Sequence, residues 1–302
     1  DVTGLFMFCG ATVNINGDYA VAATALTSVT NGSVTFANPL SFANKFSQTG
    51  GNVYFNGNAI FNTGYDLLSS NSYLLGGSGN LTIHGLLDWR NGADIVGTGT
   101  LYTDGQVILA GASQSLARAW SNSGIVDFNG VAKLYFATNN GTTFTNEVGG
   151  IINLRGNDAA PIVRSSATGH SLINKGTINK EITTVPTQQI GDAYLNISNE
   201  GVINVKSGTL NVAGGGTDTG VWNVAAGSNL QFSAGARTIS GASAGMNFGN
   251  NSTLTVSGAT LTLDKGIAVD NLLLSGGTLT GSGAIAISKA LDFSAGSLLG
   301  SG

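Results

Sequence analysis

The feature that most constrains this chain is a repeat near its C-terminus. Residues 272–283 read LLLSGGTLTGSG, and residues 291–302 read LDFSAGSLLGSG, so the two segments match position by position. We call this pair the C-terminal repeat. Residues 87–99 read LDWRNGADIVGTG, which is a third copy with one inserted residue. A unit that recurs in this way predicts a solenoid, in which each repeat packs only against its neighbours.

A second repeat, built on asparagine, runs through the middle of the chain. Residues 174–179 read NKGTIN and residues 199–204 read NEGVIN, and related segments begin at Asn122 and Asn146. The N-terminal third is less regular, but the segments VNI, VTF and VYF recur there at intervals of about 20 residues. One period of roughly 19 to 28 residues therefore covers the whole chain, which is typical of solenoid repeats.

Within each repeat, apolar residues alternate with polar ones in short segments. Leu261 and Leu263, for example, alternate with Thr260 and Thr262. This period of two is typical of a β-strand with one buried face. The residues predicted to face inward and form the core are Leu254, Val256, Leu261, Leu263, Leu272, Leu274, Leu279, Ile285, Ile287, Leu291, Phe293, Leu298 and Trp89.

Three short strands and three corners in each repeat predict one coil of a parallel β-helix, or β-solenoid. The predicted fold class is all-β, with coils of roughly 19–28 residues, and right-handed coiling is the default for parallel crossovers. At a strand spacing of about 4.8 Å, about 14 coils would form a rod about 65 Å long. We expect less regular coils over 1–73 and regular coils over 74–302, with an insertion-like stretch at 155–196 that bulges from the rod.

Glycine and asparagine are expected at the corners of the coils. Glycine, with 46 copies, adopts positive φ without steric cost, and Gly277 and Gly296 are predicted to do so. Asparagine tolerates the same conformation and also hydrogen-bonds the backbone of its own or a neighbouring coil. The asparagines predicted to form such corners and ladders are Asn122, Asn146, Asn174 and Asn199.

Composition excludes several classes of protein. Charged residues supply 9% of the chain and the net charge is -4, so the sequence offers no basic surface for a nucleic acid. No stretch reaches the roughly 18 apolar residues that a membrane-spanning helix needs, so we predict no membrane span. The single cysteine, Cys9, can form neither an internal disulfide nor a metal site built on cysteines.

The repeats resemble those of filamentous-haemagglutinin-type proteins and autotransporter passenger proteins. The resemblance is carried by NKGTIN at 174–179, NEGVIN at 199–204, and the LDW and LDF repeats at 87–99 and 291–302. It covers most of the chain from about Leu74 onward. It implies a right-handed β-helix that is exported across a bacterial envelope and serves in adhesion, in cell contact or as a spacer. The family shares no catalytic residues, so the resemblance implies none here.

Some β-helices act on polysaccharides, so a polysaccharide-active enzyme is the main alternative. Such chemistry needs convergent carboxylates, or a Ca²⁺ site with a basic residue. The nearest acidic cluster comprises Asp88, Arg90, Asp94 and Asp104. Asp88 recurs as Asp292, which is typical of a solvated face, and the two histidines, His84 and His170, lie in different repeats. We therefore predict no catalytic residue, no cofactor and no metal site.

Threonine and tryptophan suggest two further interpretations. Thr-x-Thr occurs at 98–100, 253–255, 260–262 and 278–280, and aligned copies on one flat face would favour ice binding. Their irregular offsets make this a remote alternative. The three tryptophans could be platforms for sugars, but Trp89 occupies the repeat position of an inward phenylalanine, which favours the core.

The leading hypothesis is a non-enzymatic extracellular β-solenoid, either the stalk of a large surface exoprotein or the subunit of an extracellular fibre. We expect it outside the cell or at the cell surface of a bacterium, with surface glycans or other cells as partners. The residues expected to contact a partner are Arg155, Asp158, Arg164, Lys180 and Glu181. The last repeat ends without a polar cap, so we also expect further coils of the same chain or end-to-end self-association.

Overall fold

The computed structural model describes residues 4–68, 73–137, 141–165, 168–181 and 184–302. Short strands joined by turns make up these ranges, and the strands pair in parallel. No helix in the described ranges is long and apolar enough to cross a membrane. The chain is a parallel β-solenoid of about 13 turns with three sheets, which confirms the predicted fold class.

A full turn places one strand in each of three sheets, named here sheets A, B and C. Sheet A contains β1 (Leu5–Phe8), β3 (Leu26–Val29), β6 (Phe46–Gln48), β9 (Gly64–Leu67), β12 (Leu86–Arg90), β15 (Gln106–Ala110), β18 (Ile125–Phe128), β21 (Ile151–Leu154), β24 (Thr177–Lys180), β27 (Val202–Val205), β30 (Val221–Val224) and β33 (Gly245–Phe248).

Sheet B follows sheet A along each turn. It contains β2 (Thr12–Ile15), β4 (Ser33–Phe36), β7 (Asn52–Phe55), β10 (Leu74–Gly76), β13 (Asp94–Val96), β16 (Ser113–Ala117), β19 (Lys133–Phe136), β22 (Ile162–Arg164), β25 (Thr187–Ile190), β28 (Thr209–Val212), β31 (Asn229–Phe232) and β34 (Thr253–Val256).

Sheet C completes the turn. It contains β5 (Leu40–Phe42), β8 (Ala59–Phe61), β11 (Leu81–Ile83), β14 (Leu101–Thr103), β17 (Trp120–Asn122), β20 (Thr143–Asn146), β23 (His170–Asn174) and β26 (Leu195–Asn199). The same face continues with β29 (Gly216–Asp218), β32 (Ala236–Ile239) and β35 (Thr260–Leu263). Two long strands, β36 (Ile267–Thr280) and β37 (Ile285–Leu298), turn corners, and β36 pairs with strands of both sheet B and the sheet C face.

The register of the strands agrees with the repeats in the sequence. Leu272 pairs with Leu291, its equivalent in the C-terminal repeat. In the less regular N-terminal part, Val13 pairs with Val34, which pairs with Val53. Equivalent positions of successive repeats therefore lie directly above one another.

The third copy of the C-terminal repeat, at 87–99, lies on another sheet. Trp89 pairs with Leu109 in sheet A, whereas Phe293 pairs with Leu274 in sheet B. The alternating pattern fits a strand of any sheet, so the match in sequence did not fix the sheet. Trp89 nevertheless points inward and is fully buried.

The interior is one continuous apolar core. The predicted core residues that are buried in it are Leu254, Val256, Leu261, Leu263, Leu272, Leu274, Leu279 and Trp89. Ile285 and Ile287 are half-buried and pack against this core. Leu291, Phe293 and Leu298 were expected in the core but are 51%, 51% and 48% exposed. They continue the columns of buried residues, but no coil covers their open side in this structure, and a coil interior is buried only when coils lie on both sides.

Aromatic rings fill the first coils. Phe36 stacks on Phe55 with 5.0 Å between ring centroids, and Phe42 stacks on Phe61 at the same distance. These rings belong to sheets B and C, which continue through the later coils. The solenoid core thus begins within the part of the chain where the repeats are least regular.

The stretch 155–196 contributes β22 to β26 to the solenoid. Each of these strands pairs with strands of neighbouring turns. The described parts of this stretch therefore follow the rod, because its strands keep the register of the coils on either side.

Glycine at the corners meets two different needs. Gly277 and Gly296 have φ of 69° and 101°, as expected. At Gly176, a Cβ atom would lie 2.2 Å from a carbonyl oxygen of the preceding coil, so close stacking excludes a side chain there. Of the described non-glycine residues, only Asn91 and Asn251 have positive φ. The expectation of positive φ for the four ladder asparagines was therefore wrong, because each of them is the last residue of a sheet C strand.

Candidate functional site

A column of buried polar side chains on sheet C, the inner column, runs through the middle of the solenoid. In register, it follows apolar Ile83 and precedes apolar Ile239. Its side chains point inward among the core residues, where an unpaired polar group would be costly. The members of the inner column are Thr103, Asn122, Asn146, Asn174, Asn199 and Asp218.

The amides of the inner column bind one another from coil to coil. Nδ2 of Asn122 donates to Oδ1 of Asn146 at 2.9 Å, and the next two steps to Asn174 and Asn199 measure 2.9 and 2.8 Å. The hydroxyl of Thr103 donates to Oδ1 of Asn122 at 2.9 Å. Each Nδ2 also donates to a backbone carbonyl, which fixes the orientation of the amides, because a carbonyl only accepts.

The inner column ends in a buried ion pair. Asp218 Oδ1 accepts from the backbone N–H of Asn199 at 2.9 Å, and both carboxylate oxygens lie 2.7 Å from Nη1 of Arg237. Both side chains of the pair are 0% exposed. Nη2 of Arg237 donates to the carbonyl oxygens of Ile197 and Gly214 at 2.9 Å each. Burial raises the pKa of Asp218, while the charge of Arg237 opposes that rise.

A glycine makes room for this arginine. Arg237 occupies an inward position, and its neighbour in register on β29 is Gly216, which has no side chain. A second buried arginine, Arg118, donates to backbone carbonyl oxygens, from Nε to Gly99 at 2.9 Å and from Nη2 to Gly79 at 2.6 Å. Burial lowers the pKa of Arg118 to about 10. Both guanidinium groups thus bind backbone carbonyls of two preceding coils.

A second polar column, the outer column, lies on the outward face of sheet A. Its members are Asp127, Asn153, Asn179, Asn204, Asn223 and Asn247. Each Nδ2 donates to the preceding coil over 2.8 or 2.9 Å, and the first of these bonds ends on Oδ1 of Asp127. Because a carboxylate only accepts, Asp127 fixes the direction of the amides. They point opposite to those of the inner column.

Exposure changes along the outer column. Asp127 is buried, Asn204 and Asn223 are half-buried, and Asn247 is exposed. A groove of about 620 Å³ lies beside these last three members. Its lining consists of Asn204, Val205, Lys206, Asn223, Val224, Ala225, Asn247, Phe248 and Gly249. These three asparagines are the least buried members of the two polar columns.

The structure places the five predicted contact residues along the rod. Arg155 lies 3.1 Å from Asp127 of the outer column. Lys180 is fully buried, since it points inward between Leu154 and Val205, and burial lowers its pKa. The expectation that Lys180 contacts a partner was therefore wrong. Its position in the alternation of β24, two residues after inward Ile178, would have shown this.

The other predicted contact residues form ion pairs. Asp158 pairs with Lys133 at 3.3 Å and Glu181 with Lys206 at 2.9 Å. Arg164 lies 2.8 Å from Asp192 and stacks over a tyrosine ring. These pairs join residues of neighbouring coils, so they contribute to the rod itself.

The residues considered for catalysis are spread over different faces. Asp88 pairs with Arg90 at 2.5 Å on sheet A, whereas Asp94 lies on sheet B. Asp104 contacts His84 at 2.8 Å. In the part of the chain that the structure describes, no three His, Cys, Asp or Glu side chains form a group that could hold a metal ion.

Two of the Thr-x-Thr motifs are in register. Thr260 pairs with Thr278 and Thr262 with Thr280 on the sheet C face, whereas 253–255 lies on sheet B. All three tryptophans are buried, and Nε1 of Trp120 donates to the hydroxyl of Thr103. The tryptophans therefore fill the core.

The repeats in the sequence include residues of both the outer and the inner column. Asn174 and Asn179, the first and last residues of NKGTIN, lie on either side of a corner, so the first points inward and the second outward. The recurrence of both positions was the available signal. The pair of Asp218 and Arg237 gave no such signal, because neither residue recurs in the repeat.

No known protein family, curated protein or solved structure matches this chain. The function is therefore inferred from the fold and the two polar columns.

Proposed function

We propose that this chain is a non-enzymatic structural and adhesive rod, exposed outside a bacterial cell as the stalk of a large exoprotein or as part of an extracellular fibre. The observation that carries this proposal is the stack of about 13 turns around one continuous core. Each turn packs only on its neighbours, so the length of the rod grows with the number of turns.

The polar columns support a role in transmitting tension along the rod. Backbone hydrogen bonds join the coils throughout, and the inner and outer columns add side-chain bonds along the rod axis. The buried guanidinium group of Arg237 adds charged bonds to Asp218, Ile197 and Gly214 on preceding coils. Bonds to charged groups stabilise a fold more than neutral ones. A stalk that transmits tension benefits from such bonds between coils.

Shape and adhesion test the proposal directly. Small-angle X-ray scattering of the purified chain should give the profile of a rod, with a largest dimension that matches the stacked turns. Beads coated with the chain should attach to cells or to surface glycans more than beads coated with a denatured sample. A globular scattering profile, or no difference in attachment, would contradict the proposal.

The non-enzymatic part has its own measurement. Uronans and neutral polysaccharides are incubated with the chain, with and without Ca²⁺, and reducing ends and unsaturated products are measured. We expect no release above that of the heated protein. Turnover that is lost when Asp88 or Asp104 is replaced would instead favour a polysaccharide-active enzyme.

A further inference from the structure

The groove on sheet A has polar and apolar walls that run along the rod axis. The amides of Asn204, Asn223 and Asn247 follow one another on three successive coils. Ala225 and Phe248 add apolar surface beside them. Ligand sites in proteins commonly combine apolar surface with a few placed polar groups.

The amides in the groove keep hydrogen-bonding capacity after the ladder is formed. An asparagine amide has two N–H donors and an oxygen with two lone pairs. In Asn223, one donor binds Asn204 and one lone pair accepts from Asn247, each at 2.9 Å. At least one donor and one acceptor per amide therefore remain for a ligand, and they repeat at the strand spacing of about 4.8 Å.

The groove is electrically neutral. Lys206 is the only charged residue in its lining, and its ammonium group lies 2.9 Å from the carboxylate of Glu181. An anionic polymer would find no unpaired cation in this lining. An added protein strand would also fit poorly, because strand addition needs a sheet edge, whereas this groove crosses the face of a sheet.

Hydroxyl groups of an uncharged sugar fit this pattern of sites. Adjacent hydroxyls both donate and accept, so they can use the free donor and acceptor of one amide, while the C–H surface of the ring packs on apolar side chains. We propose that the groove binds an uncharged polysaccharide chain that lies along the rod. This inference rests on the proposed adhesive function and names its ligand class and its site.

The test uses a glycan array that carries neutral, uronate-containing and sulfated polysaccharides, probed with the fluorescently labelled full chain. The groove variant combines Asn223→Leu with Asn247→Leu. The control variant is Asn196→Leu, which replaces an exposed asparagine on the outward face of β26. Circular dichroism and the thermal midpoint establish that each variant is folded, and Asn247→Ala replaces the double variant if that variant does not fold.

We expect the chain to bind at least one neutral polysaccharide, the groove variant to lose at least tenfold in affinity, and the control variant to bind as the parent does. Binding to charged glycans alone, to no neutral glycan, or with equal affinity in the groove variant would overturn the proposal. Equal losses in the groove and control variants would do the same. Small-angle scattering on the same samples distinguishes failure of the groove proposal from failure of the proposed rod. A chain that scatters as a rod but binds no neutral glycan would refute the groove proposal alone.

Discussion

One column of inward side chains is filled in two different ways along the rod. In the first coils it holds Phe42 and Phe61, whose rings stack at 5.0 Å. Further along, after Ile83 and Thr103, it holds the asparagines of the inner column, whose amides bind at 2.8 to 2.9 Å. The strands pair in parallel in both regions, so the column accepts either apolar or polar residues if each finds a matching neighbour.

The aromatic and the polar side chains of this column differ in what they determine about the stacking of the coils. Stacked rings stabilise the coils through burial, which depends little on direction. A buried amide is tolerated only when the coils above and below present its partners. The aromatic region therefore supplies stability, and the polar region also selects the register of one coil on the next. Buried polar groups have such a register role in coiled coils.

The largest effect is expected when a polar residue is moved into the aromatic region. Phe61→Asn removes a fully buried ring and places an amide between Phe42 and Ile83, which offer it no partner. We expect a loss of about 5 kcal/mol, from the cavity and the unpaired amide together. Urea unfolding followed by circular dichroism measures it. Ile60→Asn, one residue away and facing outward, should cost less than about 1 kcal/mol.

The second-largest loss of stability is expected when the ion pair that ends the inner column is broken. Asp218→Ala leaves Arg237 buried without its carboxylate, and we expect a loss of about 3–5 kcal/mol. The double variant Asp218→Leu with Arg237→Met removes both charges and should recover most of that loss in the same unfolding experiment. Equal stability of the single and double variants would show that the charge of Arg237 is not the cause.

A smaller effect is expected inside the inner column. Asn146→Ala removes partners from Asn122 and Asn174, so we expect a loss of about 2–3 kcal/mol. Asn223→Ala breaks the same two kinds of bond in the outer column, but water can replace them there, and the cost should stay below about 0.5 kcal/mol. Similar values for the two variants would contradict the distinction between the columns.

The smallest effect concerns pH. His170 is buried beside the ring of Phe136, and burial lowers its pKa below the usual 6.5. The unfolded chain therefore binds a proton more readily as the pH falls below 6.5, and the folded state loses stability there. One group contributes at most about 1.4 kcal/mol per pH unit. Thermal midpoints at pH 7 and pH 5.5 should differ less in His170→Leu than in the parent chain.

The repeats made much of the candidate site predictable. The recurrence of Asn122, Asn146, Asn174 and Asn199 indicated a ladder, and the structure joins these four side chains in that order. The charge of Lys180 suggested exposure, but its place in β24, two residues after inward Ile178, puts it in the core. The groove could not be predicted, since its lining comes from three successive coils that only their stacking brings together.

The sequence by itself determined the solenoid, because a period of roughly 19 to 28 residues with alternation inside each unit leaves few other ways to bury the apolar residues. Only the tertiary structure decided which sheet each motif occupies and which polar residues meet. Trp89 and Phe293 share a motif but lie on different sheets, and Arg237 meets Asp218 because Gly216 leaves space beneath it. The physical reason is that a strand pattern fixes only which side chains alternate, whereas their neighbours are set by the stacking of coils.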